Sequence, residues 1–156
     1  YNPDTNLFYT GTVDWCVTVT LDPNELAKKP GQTWTGTELA AQFGKRDLNW
    51  SGWVTATDAD TGQVKWRFRA NAPVLSGITP TKGGLVFAGD MAEHAYAFDA
   101  TTGRILWRAD LAGAPGGGVI SYLINGQQRV AFVTGTRSGV FPVSPSSAKI
   151  VIFGLP

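Results

Sequence analysis

At 156 residues the chain has the length of one domain with room for a core, and 43% hydrophobic against 16% charged residues describes an ordered globular protein. A net charge of +1, from basic residues scattered along the chain, excludes a nucleic-acid stripe and a polybasic membrane patch. No apolar run reaches the roughly 18 residues of a membrane span, no leader peptide opens the chain, and the single Cys16 excludes an internal disulfide.

The segment Asn2 to Asn6 is turn chemistry, and Leu7 to Val13 follows as a strand. Trp15 to Leu21, alternating Val17 and Val19 with Thr18 and Thr20, reads as its partner, with Cys16 packed inside as an inert thiol. From Asp22 to Asn49 the pattern dissolves among Pro23, Pro30 and several glycines, with at most a helical turn at Glu38 to Gln42, so this stretch is expected to be an insertion between strands. Trp53 to Thr57 and Gln63 to Arg69 are then strands around a turn. Ser76 to Thr81 and Leu85 to Ala88 follow, joined at Gly83-Gly84; Ala95 to Phe98 and Ile105 to Asp110 repeat the earlier hairpin. Gly116 to Gly118 reads as a flexible connection, since no Lys-Ser/Thr pair or helix follows as a phosphate loop requires. Val119 to Ile124 and Arg129 to Thr134 flank Asn125-Gly126, a pair that favours the positive φ angles of a type I′ hairpin turn. Ile150 to Phe153 is the last strand.

Ala56 to Arg67 and Ala97 to Arg108 both read A-x-D-x-x-T-G-x-x-x-W-R, about 41 residues apart, close to the length of one four-stranded propeller blade. Each position has a physical task. Gly62 and Gly103 allow a left-handed conformation where the turn closes. Asp58 and Asp99, with Thr61 and Thr102, accept hydrogen bonds from the free donors of the turn, which makes them turn residues rather than metal ligands or bases. Trp66 and Trp107 present large flat surfaces for docking one blade against the next, in equivalent environments. The fold expected is all-β: about three four-stranded antiparallel blades of a β-propeller, occupying residues 1–156 with the insertion at about 22–49.

The pattern A-x-D-x-x-T-G-x-x-x-W resembles the tryptophan-docking motif of the quinoprotein dehydrogenases, pyrroloquinoline quinone (PQQ)-dependent alcohol dehydrogenases built on an eight-bladed propeller. Tyr1-Asn2-Pro3-x-Thr5-x-Leu7-Phe8-Tyr9, then Asp14-Trp15-Cys16, resemble the stretch before that family's last blades. Thr79-x-Thr81-x-Gly83-Gly84-Leu85-Val86-Phe87-Ala88-Gly89 and Tyr122 to Ala131 resemble its later segments in the same order. The likeness covers nearly the whole chain but only the last third of such a propeller, so either the chain is a C-terminal fragment or another chain completes the ring.

The resemblance implies PQQ on the propeller axis, between a Trp floor and a disulfide of adjacent cysteines. A calcium or lanthanide ion held by Glu, Asn and Asp polarises the quinone carbonyl, and an Asp acts as base. By chain order all of these fall before Tyr1, so no catalytic residue and no metal ligand is expected here, and neither PQQ nor the ion is expected on this chain alone. One cofactor-facing stretch remains: Leu75-Ser76-Gly77 stands where methanol-dehydrogenase-like members carry Trp-Gly-Gly. Leu75 removes an indole donor and a large ring. Ser76 offers a hydroxyl to the cofactor or to its own backbone. His94, beside Glu93, is expected to be a solvated turn residue.

Two functions follow. The first is part of a periplasmic PQQ-dependent dehydrogenase oxidising an alcohol, aldehyde or sugar, with the rest of the propeller (or a second copy) and a cytochrome c electron acceptor as partners. The alternative is a non-catalytic propeller acting as a binding or assembly scaffold. The insertion and the D-W-C stretch favour the enzyme; Leu75 favours the scaffold a little.

Overall fold

The computed structural model describes residues 1–16, 30–31, 50–138, 140–141 and 143–154. Among them lie ten strands and no helix: β1 (Leu7–Asp14), β2 (Ser51–Asp58), β3 (Val64–Ala70), β4 (Thr79–Pro80), β5 (Leu85–Asp90), β6 (His94–Asp99), β7 (Ile105–Asp110), β8 (Pro115–Ile124), β9 (Gln127–Thr134) and β10 (Lys149–Gly154). Two compact units divide the chain, one formed by Tyr1–Asp14 with Ser51–Pro156, the other by Trp15–Trp50. Trp15 and Cys16 are not in a strand, and Cys16 is exposed rather than buried, because the ladder that would have covered it ends at Asp14. The rest of the strand expected to Leu21, the helical turn at Glu38 to Gln42 and most of the insertion lie outside the described residues.

The first unit holds three antiparallel sheets, ordered β1-β2-β3, β4-β5-β6-β7 and β10-β9-β8. Among the described residues, all four strands of a blade are present only in the middle sheet. Alternation explains the faces. In β3, Trp66, Phe68 and Ala70 point inward while Lys65, Arg67 and Arg69 point to solvent. The hairpins β2–β3 and β6–β7 are structural twins: Ala56 pairs with Trp66 and Ala97 with Trp107, and the register shifts immediately afterwards in both. The strand expected over Ser76 to Thr81 shrinks to Thr79–Pro80, where Pro80 has no N–H to extend the ladder. Gly116 to Gly118, expected as a connection, belong to β8, which breaks register between Pro115 and Val119. Asn125 and Gly126 take φ of 51° and 77°, as the two-residue turn requires.

Correspondence between sheets follows from their contacts. The Thr79 hydroxyl donates to Val119 O, so β4 and β8 run side by side. Hence β8, β9 and β10 match β4, β5 and β6, and the third sheet has no described counterpart of β7. Two cores fill the gaps. Leu7, Tyr9, Val54 and Trp66 meet Val86, Tyr96 and Phe98 between the first two sheets; Phe87, Ala97 and Leu111 meet Val119, Val130 and Phe132 between the last two. Burial of each large side chain in these layers contributes about 1.5–3 kcal/mol.

Candidate functional site

The two repeat turns are built atom for atom alike. Asp58 Oδ1 accepts from Thr61 N (2.9 Å), the Thr61 hydroxyl (2.9 Å) and Asp60 N (3.1 Å). Asp99 Oδ1 accepts from Thr102 N (2.8 Å), the Thr102 hydroxyl (2.9 Å) and Thr101 N (3.0 Å). The backbone N–H of Thr61, then its hydroxyl, then Lys65, hold the Asp58 carboxyl down at about 2; Thr102 holds that of Asp99 below the ordinary value in the same way. In both aspartates Oδ1 closes the turn, and the donors that hold the charged form make each a poor base.

The second turn also serves the sheet before it. Trp66 Nε1 donates to Ala100 O at 2.9 Å, and the Tyr9 hydroxyl donates to the same oxygen at 3.0 Å. Tyr9's own pKa is raised, first by burial. Trp107 occupies the matching position on β7 with a different outcome. It is half-buried and meets Phe153 edge-on at 4.8 Å, and among the described residues none accepts a hydrogen bond from its N–H. It lines an open apolar groove of about 220 Å³ with Leu85, Phe87, Ala97, Val130 and Phe153. The expected equivalence of the two indoles therefore holds within each hairpin and fails at the neighbouring sheet. Among the described residues, none offers Trp107 the carbonyl that Ala100 offers Trp66.

The segment carrying Leu75, Ser76 and Gly77 crosses from the first sheet to the second and is pinned on both sides. Val74 N donates to Thr12 O (3.2 Å), Met91 N to Pro73 O (2.9 Å), and Gly77 N to Gly117 O (2.8 Å). Ser76 is buried; its hydroxyl accepts from Gly89 N at 2.7 Å and lies 3.0 Å from Gly89 O and 3.1 Å from Gly77 O. That hydroxyl is fully occupied by backbone. A Cβ on Gly77 would stand 3.0 Å from Val119 N, so the glycine permits the close approach of the β8 backbone. Of the three, Leu75 is the exposed one, at 39%. As a wall for a planar cofactor the stretch fits in one respect only: Leu75 offers an apolar edge, with no side-chain hydrogen-bond donor and no charge.

Sequence reasoning missed a second cluster, at the β5–β6 turn. Asp90 is completely buried and accepts from Ala92 N (3.0 Å), His94 N (3.3 Å) and the Tyr96 hydroxyl (2.8 Å), with His94 Nδ1 at 3.0 Å. His94 was expected to be solvated; instead its ring is tied between Asp90 and the Arg108 guanidinium, because the tight turn, with Glu93 at φ 69°, folds it back over Asp90. Burial and the Asp90 hydrogen bond push the Tyr96 phenol well above its usual range. The only signal in the sequence was the spacing of Asp90, His94 and Tyr96. The Asp90 oxygens are taken by Ala92, His94 and Tyr96, and the His94 ring by Asp90 and Arg108, so the cluster braces a hairpin. Among the described residues no three His, Cys, Asp or Glu side chains come together as a metal site.

Residues 50–150 match the family described as outer membrane protein assembly factor BamB. Over 143 residues the chain is 33% identical to the quinoprotein alcohol dehydrogenase PedH of Pseudomonas putida, covering 90% of this chain and 23% of that protein. It is 30% identical to methanol dehydrogenase [cytochrome c] subunit 1 of Methylobacterium organophilum, covering 86% of this chain and 22% of the relative. A europium-containing methanol dehydrogenase superposes with a TM-score of 0.64 at 27% identity, over 86% of this chain and 23% of that one. The chain thus spans less than a quarter of the length of these relatives.

Proposed function

The chain belongs to the PQQ-repeat β-propeller family of the quinoprotein alcohol dehydrogenases, and from that premise we propose that it is the closing part of a periplasmic PQQ-dependent dehydrogenase acting on an alcohol, aldehyde or sugar. The observation that carries this reading is the pair of identical Asp-x-x-Thr-Gly turns with an indole docked on the second, in a chain whose relatives of matching sequence are dehydrogenases.

In this reading Leu75 forms part of the apolar wall beside the quinone, Ser76 holds that wall in place through Gly89, and Gly77 lets β8 close behind it. The quinone, with calcium or a lanthanide, supplies the two-electron oxidation when bound. The base and ion ligands belong to the remainder of the propeller, and the chain alone does not hold PQQ. A cytochrome c is the proposed electron acceptor, by analogy with the name of the methanol dehydrogenase relative. The scaffold reading keeps one supporting observation, the match of residues 50–150 to the family described as an assembly factor.

The deciding experiment is to read the coding sequence upstream of Tyr1 and assay its whole product for PQQ-dependent dye reduction with calcium or a lanthanide. Adjacent cysteines, an acidic ion site and alcohol-dependent turnover are expected. Their joint absence establishes the scaffold reading instead.

A further inference from the structure

Strand pairing gathers charged side chains around one imidazole in the middle sheet. His94 stands directly opposite Asp110 across the β6–β7 ladder, and Arg108, opposite Tyr96, is its diagonal neighbour. The two ring nitrogens meet different surroundings. Nδ1 lies 3.0 Å from the completely buried Asp90. The Arg108 guanidinium donates to Nε2, and an Asp110 oxygen lies 4.0 Å from the same nitrogen. A guanidinium has donors only, so Nε2 must present a lone pair, and the ring proton sits on Nδ1 and is donated to Asp90. The His94 side chain is 18% exposed and that of Asp110 86%, so solvent protons reach the ring and the second carboxylate is free to turn toward it.

We propose that His94 is a proton-operated latch on β7: with Nε2 unprotonated it holds Arg108, and with Nε2 protonated it releases Arg108 and takes Asp110 instead. A proton at Nε2 removes the lone pair that Arg108 uses and sets two cations against each other. The same proton creates a donor that Arg108 cannot accept and Asp110 can. Nδ1 keeps its bond to Asp90 in both states, so the ring stays anchored while its outer partner changes. The groups facing the ring are Asp90 from the end of β5, Arg108 and Asp110 from β7, and Tyr96 from its own strand, 6.0 Å away between ring centroids. Glu93, next to it in the turn, is engaged through its backbone with Asp90 and Leu111. The sheet β1-β2-β3 meets this layer through Phe68, against Tyr96. Burial and Asp90 push the Tyr96 phenol far up, so it stays a donor to Asp90 throughout the range in which imidazoles titrate. Acid therefore frees a guanidinium on β7, which stands last in the middle sheet, and changes the surface charge there without opening the hairpin. The latch goes beyond the dehydrogenase reading and involves neither quinone nor metal.

His94 is the one histidine of the 156-residue chain, so labelling histidine with nitrogen-15 gives signals from a single ring. Imidazole and arginine side-chain spectra are followed from about pH 8 to about pH 5, and the Arg108→Gln spectrum assigns the Arg108 signals. At the upper end Nε2 is expected without a proton and the Arg108 guanidinium protected from exchange with water. At the lower end both ring nitrogens carry protons and that protection is lost. Arg108→Gln takes away the opposing cation and should move the midpoint up, whereas Asp110→Asn takes away the second acceptor and should move it down. Each change is expected to be about 0.2–0.7 pH units, the range of an exposed charge pair. Amide protection at Ala92 and His94 should be the same at both ends, since the hairpin stays closed while Arg108 changes partner. Nε2 protonated already at about pH 8, or Arg108 protection that survives to about pH 5, overturns the proposal. So does a midpoint that neither substitution moves, which would leave His94 a purely structural brace. Loss of the hairpin amides together with Arg108 also overturns it, because the event would then be unfolding rather than an exchange of partners.

Discussion

Trp66 lies so close over Gly103 that a Cβ built on the glycine would sit 2.5–2.9 Å from three ring atoms. Its twin Gly62 has the same φ of 71° with open space in the same direction. Gly62→Ala is therefore expected to cost only the left-handed penalty, about 1–2 kcal/mol. Gly103→Ala must add displacement of the indole and is expected to cost about 3 kcal/mol or more. Chemical denaturation of the two variants compares them directly; equal losses would show that the contact over Gly103 does not exist in solution.

The two tryptophans should separate in the same way. Trp66 is 8% exposed and hydrogen-bonded, so Trp66→Ala is expected to cost about 3–5 kcal/mol. Trp107 is half-buried beside an open groove, and Trp107→Ala should cost about 1–2 kcal/mol. A larger loss at Trp107 would mean that its groove is filled in the isolated chain.

Acid should loosen the first repeat turn. Asp58 titrates at about 2 in the folded chain against an ordinary 3.8, because Thr61 and Lys65 favour its charged form. A depressed carboxyl stabilises fully above the unfolded value, and the contribution fades as pH falls from 3.8 toward 2. Asp58→Asn should flatten the melting temperature over that window relative to the parent. A carboxyl carbon titration with its midpoint near 3.8 would contradict the turn geometry.

At the β5–β6 hairpin, Tyr96→Phe removes one donor from the buried Asp90 and is expected to cost about 1–3 kcal/mol. Asp90→Ala strands the donors of Ala92, His94 and Tyr96 together and should cost more than the tyrosine change. Hydrogen exchange at the Ala92 and His94 amides reports the loss locally. Unchanged protection in Asp90→Ala would remove the aspartate from its bracing role.

What the sequence alone determined was whatever is encoded locally. The repeat predicted both hairpins, their Asp-centred turns and the alternation that sends Trp66, Phe68 and Ala70 inward, because turn geometry and strand alternation depend on residues a few positions apart. It also pointed to the propeller family. Tertiary structure decided everything that depends on a neighbour. The Ser76 hydroxyl is taken by the backbone of Gly89, thirteen residues away, a partner that no local pattern around Ser76 reveals. His94 became a part-buried partner of the buried Asp90 rather than a solvated turn residue, because hairpin closure stacks positions 90, 94 and 96 on one side. The two repeat tryptophans carry identical local sequence. Only the packing of the next sheet gives one a carbonyl and a glycine, and leaves the other facing a groove.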